Sequence, residues 1–531
     1  MKLSKWALAS AISGVLCAGT AFAQSGVQQP STIQRTAFEY SSYYAQDDAP
    51  PTPSPSDASA PAAAPAPAAP AAPAAACNCA PAAAPAQCSD DCPEGHCLGG
   101  PFNPCCKLTD PWKLFDCEGL KCRNVNIAGY VAQSFTGNPQ NPADRFNGPI
   151  TWTDQSNQYQ LNQFLTYIER PTNTNGCGWD FGGRADVMIG TDYRFNTESG
   201  LETRGQFTRP KISDQRFYGT AFTQFYAEIA RNNVKIKLGH FYSPVGYEGV
   251  QTIGNFFTTL PYTFQYGEPF THTGALATWT VNEKLTVGTG LIRGWDNFGN
   301  NNPNIGVINT FTRTFDDKSS LAIVQVLSNE PNQNNTVNAT PAGTNNAHSF
   351  RFLQTNVYSR PLARISEKLN YVAQSDWGYQ TRALLNDKTA HYYGLNQYLF
   401  YKVSDCWSWG LRGEWFRDEE GFRVGGFLGA TNTTANNPVA DQSLRGLSSN
   451  RAGYNGNFYE ITLGANYKPN ANTVIRPMVR FDWYQGGETD INGVNTGAPA
   501  PGSPTNAGGR PYDDGLKNWQ FLYGLDYITL F

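Results

Sequence analysis

The sequence predicts an all-β protein, a closed antiparallel transmembrane β-barrel of about sixteen strands (about 14–18, since strand boundaries read from sequence move by a few residues). Three observations carry that prediction. From about residue 123 onward, segments alternate between apolar and polar residues. The gaps between these segments are alternately long and short. No stretch after the leader reaches the roughly 18 consecutive apolar residues a membrane helix needs.

The chain begins with a leader. Lys2 and Lys5 form a basic start, Trp6 to Gly19 is a short apolar run, and Ala21-Phe22-Ala23 is a small-residue cleavage site. Residues 1–23 therefore read as a signal peptide, and Gln24 as the mature N-terminus. Leu16 before Cys17 is too bulky for lipoprotein processing.

Residues 24–86 are expected to be disordered, with a Pro/Ala-rich linker from 50 onward that favours extended polyproline II. At ~3.1 Å per residue the linker could reach roughly 110 Å. It is read as a spacer, with a tether toward the cell wall as the sharper alternative. Residues 77–122 form a Cys-rich segment holding Cys77, Cys79, Cys88, Cys92, Cys97, Cys105, Cys106, Cys117 and Cys122. In an exported chain that density reads as disulfides. Zinc, with His96 beside Cys97, is the alternative, but the spacing forms no clean pair of C-x2-C units.

Residues 123–531 carry the strand pattern. Trp179, Phe181, Gly183, Ala185, Val187, Ile189, Thr191 and Tyr193 share one parity; Arg184, Asp186, Asp192 and Arg194 share the other. Successive side chains of a strand point to opposite faces, so one face is apolar and the other charged. From Trp179 to Tyr193 is roughly 46 Å of strand at ~3.3 Å per residue, or roughly 33–35 Å of height when tilted by ~40–45°. The same alternation recurs in 407–415, 457–468 and 475–484. A soluble sandwich would also alternate.

The connections separate the two readings. Strands are expected near 123–135, 158–170, 179–194, 216–230, 233–242, 273–281, 284–296, 304–316, 319–328, 349–360, 364–377, 391–403, 406–418, 455–468, 473–485 and 517–531. Long and short gaps alternate between them throughout. Long external loops, short periplasmic turns and an even strand count are the pattern of bacterial outer-membrane barrels. The final strand adds support, with Phe521, Tyr523, Leu525, Tyr527 and Phe531 on one parity.

Several ordered stretches also resemble a known family. GYVAQSFTGNPQNPADRFNGP (129–149), GCGWDFGGRADVMIGTDYRF (176–195), GHFYSPVGYEGV (239–250), YGEPFTHTGALATW (266–279) and RGWDNF (293–298) resemble the OmpL-like β-barrel porins, over roughly residues 111–531. The resemblance implies an outer-membrane porin. It supplies no catalytic residues.

A barrel of this size leaves an aqueous lumen. Arg184, Asp186, Asp192, Arg194, Lys235, Lys237, Lys368, Arg412, Glu414, Glu460, Arg476, Arg480 and Asp482 are expected to line it. Charged groups in a pore bias ion selectivity. The bland alternative makes them solvated wall residues. The third long loop, 243–272, carries Tyr247, Glu248, Phe256, Phe257, Tyr262, Tyr266, Glu268 and His272. So many large aromatics suit a loop folded into the lumen better than one left in water. It is expected to narrow the pore, with Glu248 and Glu268 facing wall arginines; packing on the rim or on a neighbouring subunit is the alternative.

The expected function is passive diffusion of small hydrophilic solutes or ions. A substrate-selective channel, for example for sugars, and a structural barrel anchoring the envelope are the alternatives. An enzyme is not expected, because His240, His272, His348 and His391 are scattered and no G-x-S-x-G occurs. The N-terminal region cannot supply the plug of a TonB-dependent transporter. No cofactor or metal is implied, and a net charge of −4 gives no footing for nucleic acid. The expected partners are outer-membrane lipid, the transported solutes, the cell wall through the N-terminal region, and other copies of the chain.

The loop–turn rhythm puts Cys177, Cys406 and the Cys-rich segment on the periplasmic side. The cysteines after the leader number eleven, the 12 of the chain without Cys17, so at least one is free or pairs between chains. The cluster is expected beneath the barrel, bridged to Cys177 or Cys406 or linking subunits.

Overall fold

The computed structural model describes residues 108, 111–143, 145–174, 177–198, 200–202, 217–299, 305–330, 349–383, 389–424, 453–489, 510–513 and 516–531. The expected signal peptide and linker and Cys77 to Cys106 lie outside the described residues. Sixteen strands close into one barrel. They are β1 (Asn126–Gly137), β2 (Gln158–Arg170), β3 (Trp179–Gly190), β4 (Gly219–Arg231), β5 (Val234–Tyr242), β6 (Thr271–Asn282), β7 (Leu285–Ile292) and β8 (Gly306–Thr314). Then follow β9 (Ser320–Asn329), β10 (Phe350–Pro361), β11 (Leu369–Gln380), β12 (Ala390–Lys402), β13 (Trp407–Asp418), β14 (Gly453–Asn470), β15 (Thr473–Thr489) and β16 (Trp519–Leu530).

Each strand pairs antiparallel with its sequence neighbours, and β1 closes on β16 from Tyr130↔Leu530 to Gly137↔Tyr523. Closure matters because an open edge would leave backbone N–H and C=O groups unpaired in lipid. Among the described residues no helix is long and apolar enough to cross a membrane.

The long–short rhythm holds throughout. The short connections are 171–178, 232–233, 283–284, 315–319, 362–368, 403–406 and 471–472. The tightest have local causes: Asn232 takes φ 51 in the β4–β5 turn, a conformation Asn tolerates. A one-turn helix, α1 (Glu118–Lys121), precedes β1. The entering chain is tied to the β14–β15 turn: Trp112 N donates to Asn472 Oδ1 (2.9 Å), and Asn472 Nδ2 donates to Trp112 O (2.8 Å).

Four expectations need correction. β3 stops at Gly190 instead of running to 194. Gly190 has φ 150, and a Cβ there would lie 2.1 Å from Asn162 O, so this backbone admits only glycine. The chain then turns inward as a 3-10 turn, Thr191–Phe195, and Tyr193 is buried instead of anchoring a rim. β11 begins at Leu369, which leaves Lys368 in a turn, its Nζ donating to Val403 O (2.7 Å), and off the wall. His272 belongs to β6 and not to the third loop, which ends at 270. Cys117, Cys122 and Cys177 are free thiols, with no cysteine opposite them among the described residues. Cys406, by contrast, is disulfide-bonded.

Candidate functional site: the barrel interior

The wall gives each inward residue its place by parity alone. On β13–β16 the outward set is apolar: Leu411, Ile461, Leu463, Val479, Phe481, Phe521, Tyr523 and Leu525 are all exposed to the surroundings of the barrel. The inward set is Arg412, Glu414, Glu460, Arg476, Arg480, Asp482 and Asp526, all buried. These charges do not face an open lumen. They grip loop 243–270, which crosses from its roots on β5 and β6 to the opposite wall.

Three arginines take the loop's carbonyls. Arg412 Nη1 donates to Thr259 O (2.9 Å), Arg480 Nη1 to Leu260 O (2.7 Å), and Arg476 Nη1 to Thr252 O (2.9 Å) and Asn255 O (2.5 Å). One carboxylate takes its N–H groups. Glu414 accepts from Tyr262 N (2.6 Å), Thr263 N (2.6 Å) and Thr263 Oγ1 (2.7 Å) at the start of a π-helical turn, Thr263–Gly267. A helical N-terminus leaves just such N–H groups without partners.

The arginines are neutralised in place. Arg412 pairs with Glu460 (2.5 Å) and Glu248 (2.8 Å), Arg480 with Asp482 (2.7 Å), and Arg476 Nε with Asp526 (2.9 Å). Charges removed from water survive only when paired and hydrogen-bonded in this way.

Shape completes the grip. A Cβ on Gly394 would come within 2.5 Å of Thr263, and one on Gly410 within 2.4 Å of Phe256, so inward glycines make room for the loop. Phe257 lies under the Arg412 guanidinium (5.0 Å) and Tyr262 under that of Arg480 (5.2 Å). Tyr262 OH donates to Asp482 (3.0 Å) and shares a hydrogen bond with Tyr512 OH. Tyr266 OH donates to Pro149 O (2.5 Å). Tyr247 packs at a tilt against Tyr398 (4.9 Å between ring centroids). The loop's own fold leaves a cavity of about 50 Å³, room for a water or two.

The two loop acids diverge. Glu248 meets Arg412, as the sequence suggests. Glu268 does not face an arginine: it accepts from Gln374 Nε2 (2.5 Å). Burial, with the Asp376 carboxyl beside it, holds the Glu268 carboxyl well above the usual carboxylate range.

The other expected lining residues fall into two groups. Arg184 is buried against Asp186 (2.7 Å) and Glu169 (3.4 Å) on the β2–β3 wall. Asp192 and Arg194 sit on the 3-10 turn. There Asp192 accepts from Gln163 (2.8 Å), and Arg194 bonds to Asp154 (2.8 Å) of the first loop. Lys235 and Lys237 remain half-exposed on the inward face of β5, near the short-turn end. Lys235 lies 3.7 Å from Glu228, and Lys237 covers the Tyr226 ring (4.7 Å). His272 is buried between Ser243 and Gly294.

Sequence reasoning missed the first loop, 138–157, which also enters the barrel. Trp152 packs with Phe195, Phe264 and Phe270, and Thr151 donates to Gln265 (2.6 Å). The large apolar side chains of Ile150 and Trp152 in a mostly polar loop were the available signal.

Comparison with curated proteins finds no match. Among solved structures, OprB of Pseudomonas putida is 12% identical with a TM-score of 0.45, over 78% of this chain and 96% of that one. The outer-membrane channel DcaP of Acinetobacter baumannii is 9% identical with a TM-score of 0.42, over 77% and 97%. An anion-selective porin from Comamonas acidovorans is 9% identical with a TM-score of 0.40, over 77% and 99%. The family model described as "Putative beta-barrel porin-2, OmpL-like" matches residues 124–508, nearly the whole barrel, and the chain therefore belongs to that family of bacterial outer-membrane porins.

Proposed function

We propose that this porin passes small hydrophilic solutes and ions by passive diffusion, through a path that loop 243–270 narrows. The observation behind this reading is the clamp: Arg412, Arg476, Arg480 and Glu414 hold the loop's backbone across the lumen. A loop fixed by four buried charged groups is a permanent constriction and not a swinging lid. Selectivity then rests on the accessible groups near the short-turn end, Lys235 and Lys237 above all, because the clamp arginines are already paired.

In planar bilayers the purified protein should give stable open channels. Deleting about ten residues around 254–263 should raise the single-channel conductance; an unchanged conductance sinks the constriction. A second reading, a sugar-selective channel, draws on half-exposed rings, with Phe256 and Phe400 at 4.9 Å and Tyr247 beside them. Saturation of the current by a sugar would favour it. Electrical silence would favour a structural barrel anchored through the Pro/Ala and Cys-rich region.

A further inference from the structure

The outward face of the barrel is not uniformly apolar. On β7–β11 it carries a belt of polar side chains at mid-height: Thr289, Asn309, Gln325, Gln354, Asn356 and Ser375. The strand register sets them side by side, as Thr289↔Asn309, Asn309↔Gln325, Gln325↔Gln354 and Asn356↔Ser375. Their parity is that of exposed Leu291 and Trp377 and opposite to that of buried Ile308, Val326 and Leu353, so they point away from the lumen. They also bond to one another. Thr289 donates to Asn309 (2.9 Å), Gln325 to Gln354 (2.8 Å), Gln354 to Asn356 (3.3 Å) and Asn356 to Ser375 (3.3 Å).

Lipid is a poor neighbour for such a belt. Hydrocarbon offers no hydrogen bonds, so any donor or acceptor left over there is costly. A primary amide has two N–H donors and an acceptor with two lone pairs. Gln354 uses its carbonyl on Gln325 and one N–H on Asn356, which leaves its second N–H outside the ladder.

The β7–β8 part of this wall is also short. β7 has 8 residues and β8 has 9. At ~3.3 Å per residue and ~45° of tilt they rise roughly 19–21 Å, less than the ~25 Å apolar band of such barrels. β14 and β15, on the apolar side, have 18 and 17 residues.

We propose that the outward face of β7–β11 is an interface with a second copy of this chain, joined through the Thr289–Ser375 polar belt. The occupant follows from the chemistry. Each amide is both donor and acceptor, so the belt is complementary to itself. A two-fold contact places the same patch on both partners and lets each leftover donor meet an acceptor. An apolar partner would satisfy none of them.

The test is site-specific photo-cross-linking of the full-length protein in outer membranes. p-Benzoylphenylalanine replaces Gln325, Gln354 or, at similar height on the apolar wall, Leu463. Irradiation should give an adduct of two chains from positions 325 and 354, containing only this protein's peptides, and none from 463. Adducts to lipid alone, to a different protein, or equally from 463 would overturn the proposal. A triple variant, Gln325→Leu, Gln354→Leu and Asn356→Leu, separates folding from association. It should keep the heat-dependent gel shift of a folded barrel while self-association weakens by about tenfold or more. A folded variant that keeps the full oligomer overturns the interface.

Discussion

The β13–β16 wall and the β7–β12 wall are built from the same strand geometry with opposite use of its two faces. On β13–β16 the outer face is aromatic and aliphatic, and the inner face holds Arg412, Glu414, Glu460, Arg476, Arg480 and Asp482. On β7–β12 much of the inner face is aliphatic, with Ile308, Val324, Val326, Leu353 and Val372 buried, while the outer face carries hydrogen-bonded amides. Alternation only guarantees that neighbours point apart. What each face meets is decided by the neighbours. The third loop docks by its backbone on β13–β15, so that wall must supply charged donors and acceptors. Val245, Trp295 and Tyr392 pack in the same core cluster as Ile308, Val326 and Leu353, so that wall supplies aliphatics.

Substitutions can break or sharpen this contrast. The largest effect is expected for Arg412→Ala. It strands Glu248 without its arginine, leaves Glu460 with only the more distant Arg480 (3.8 Å), and frees Thr259 O, at a cost of about 3–5 kcal/mol. Urea unfolding in lipid vesicles reads the cost, and single-channel recording should show a noisier, wider pore. Little change in either would mean the clamp is ornamental.

Next comes the lipid side of the same wall. Leu463→Arg puts a charge outward near the middle of β14 and should cost about 2–4 kcal/mol in the same unfolding measurement. Its counterpart on the amide wall, Gln325→Leu with Gln354→Leu and Asn356→Leu, should leave the monomer's unfolding within about 1 kcal/mol, because both partners of the Gln325–Gln354 and Gln354–Asn356 bonds go together and leucine needs none in lipid. Equal penalties at the two sites would erase the distinction between the walls.

Gly190→Ala tests the break that turns β3 inward. Backbone at φ 150 and a carbonyl 2.1 Å from the new Cβ predict a loss of about 1–3 kcal/mol, with poorer yield of folded barrel. The smallest effect belongs to Glu268→Gln. Burial and the Asp376 carboxyl beside it raise the titration range of this carboxyl and favour its uncharged form, which an amide resembles. The sign follows: the wild type should loosen only as pH rises and forces the buried carboxyl to ionise, and the variant should lose that alkaline sensitivity. Conductance recorded across pH compares the two; a matching alkaline response in both would refute the assignment.

Legibility differed by kind of feature. The sixteen strands and their loop–turn rhythm were readable, since period-2 patterning and gap length are local properties of the chain. The inward aromatics of the third loop were readable for the same reason, as unusual apolar content where water was the alternative. Lys368 was misplaced because its parity was right but its strand, expected from 364, begins only at Leu369. Asp192 was placed on the wall because nothing in its own alternation announces that Gly190 bends away. The amide belt was invisible, since Gln325, Gln354 and Asn356 become a ladder only once the register sets them side by side.

By itself the sequence determined a closed barrel of about sixteen strands and which loops are long, because each follows from the chain's local period and spacing. Tertiary structure alone decided what the charges do. An arginine on the inward parity of β13 or β15 can line water or grip a loop with equal ease. Arg412 and Arg480 grip a loop because segments more than 150 residues distant in sequence return to meet them.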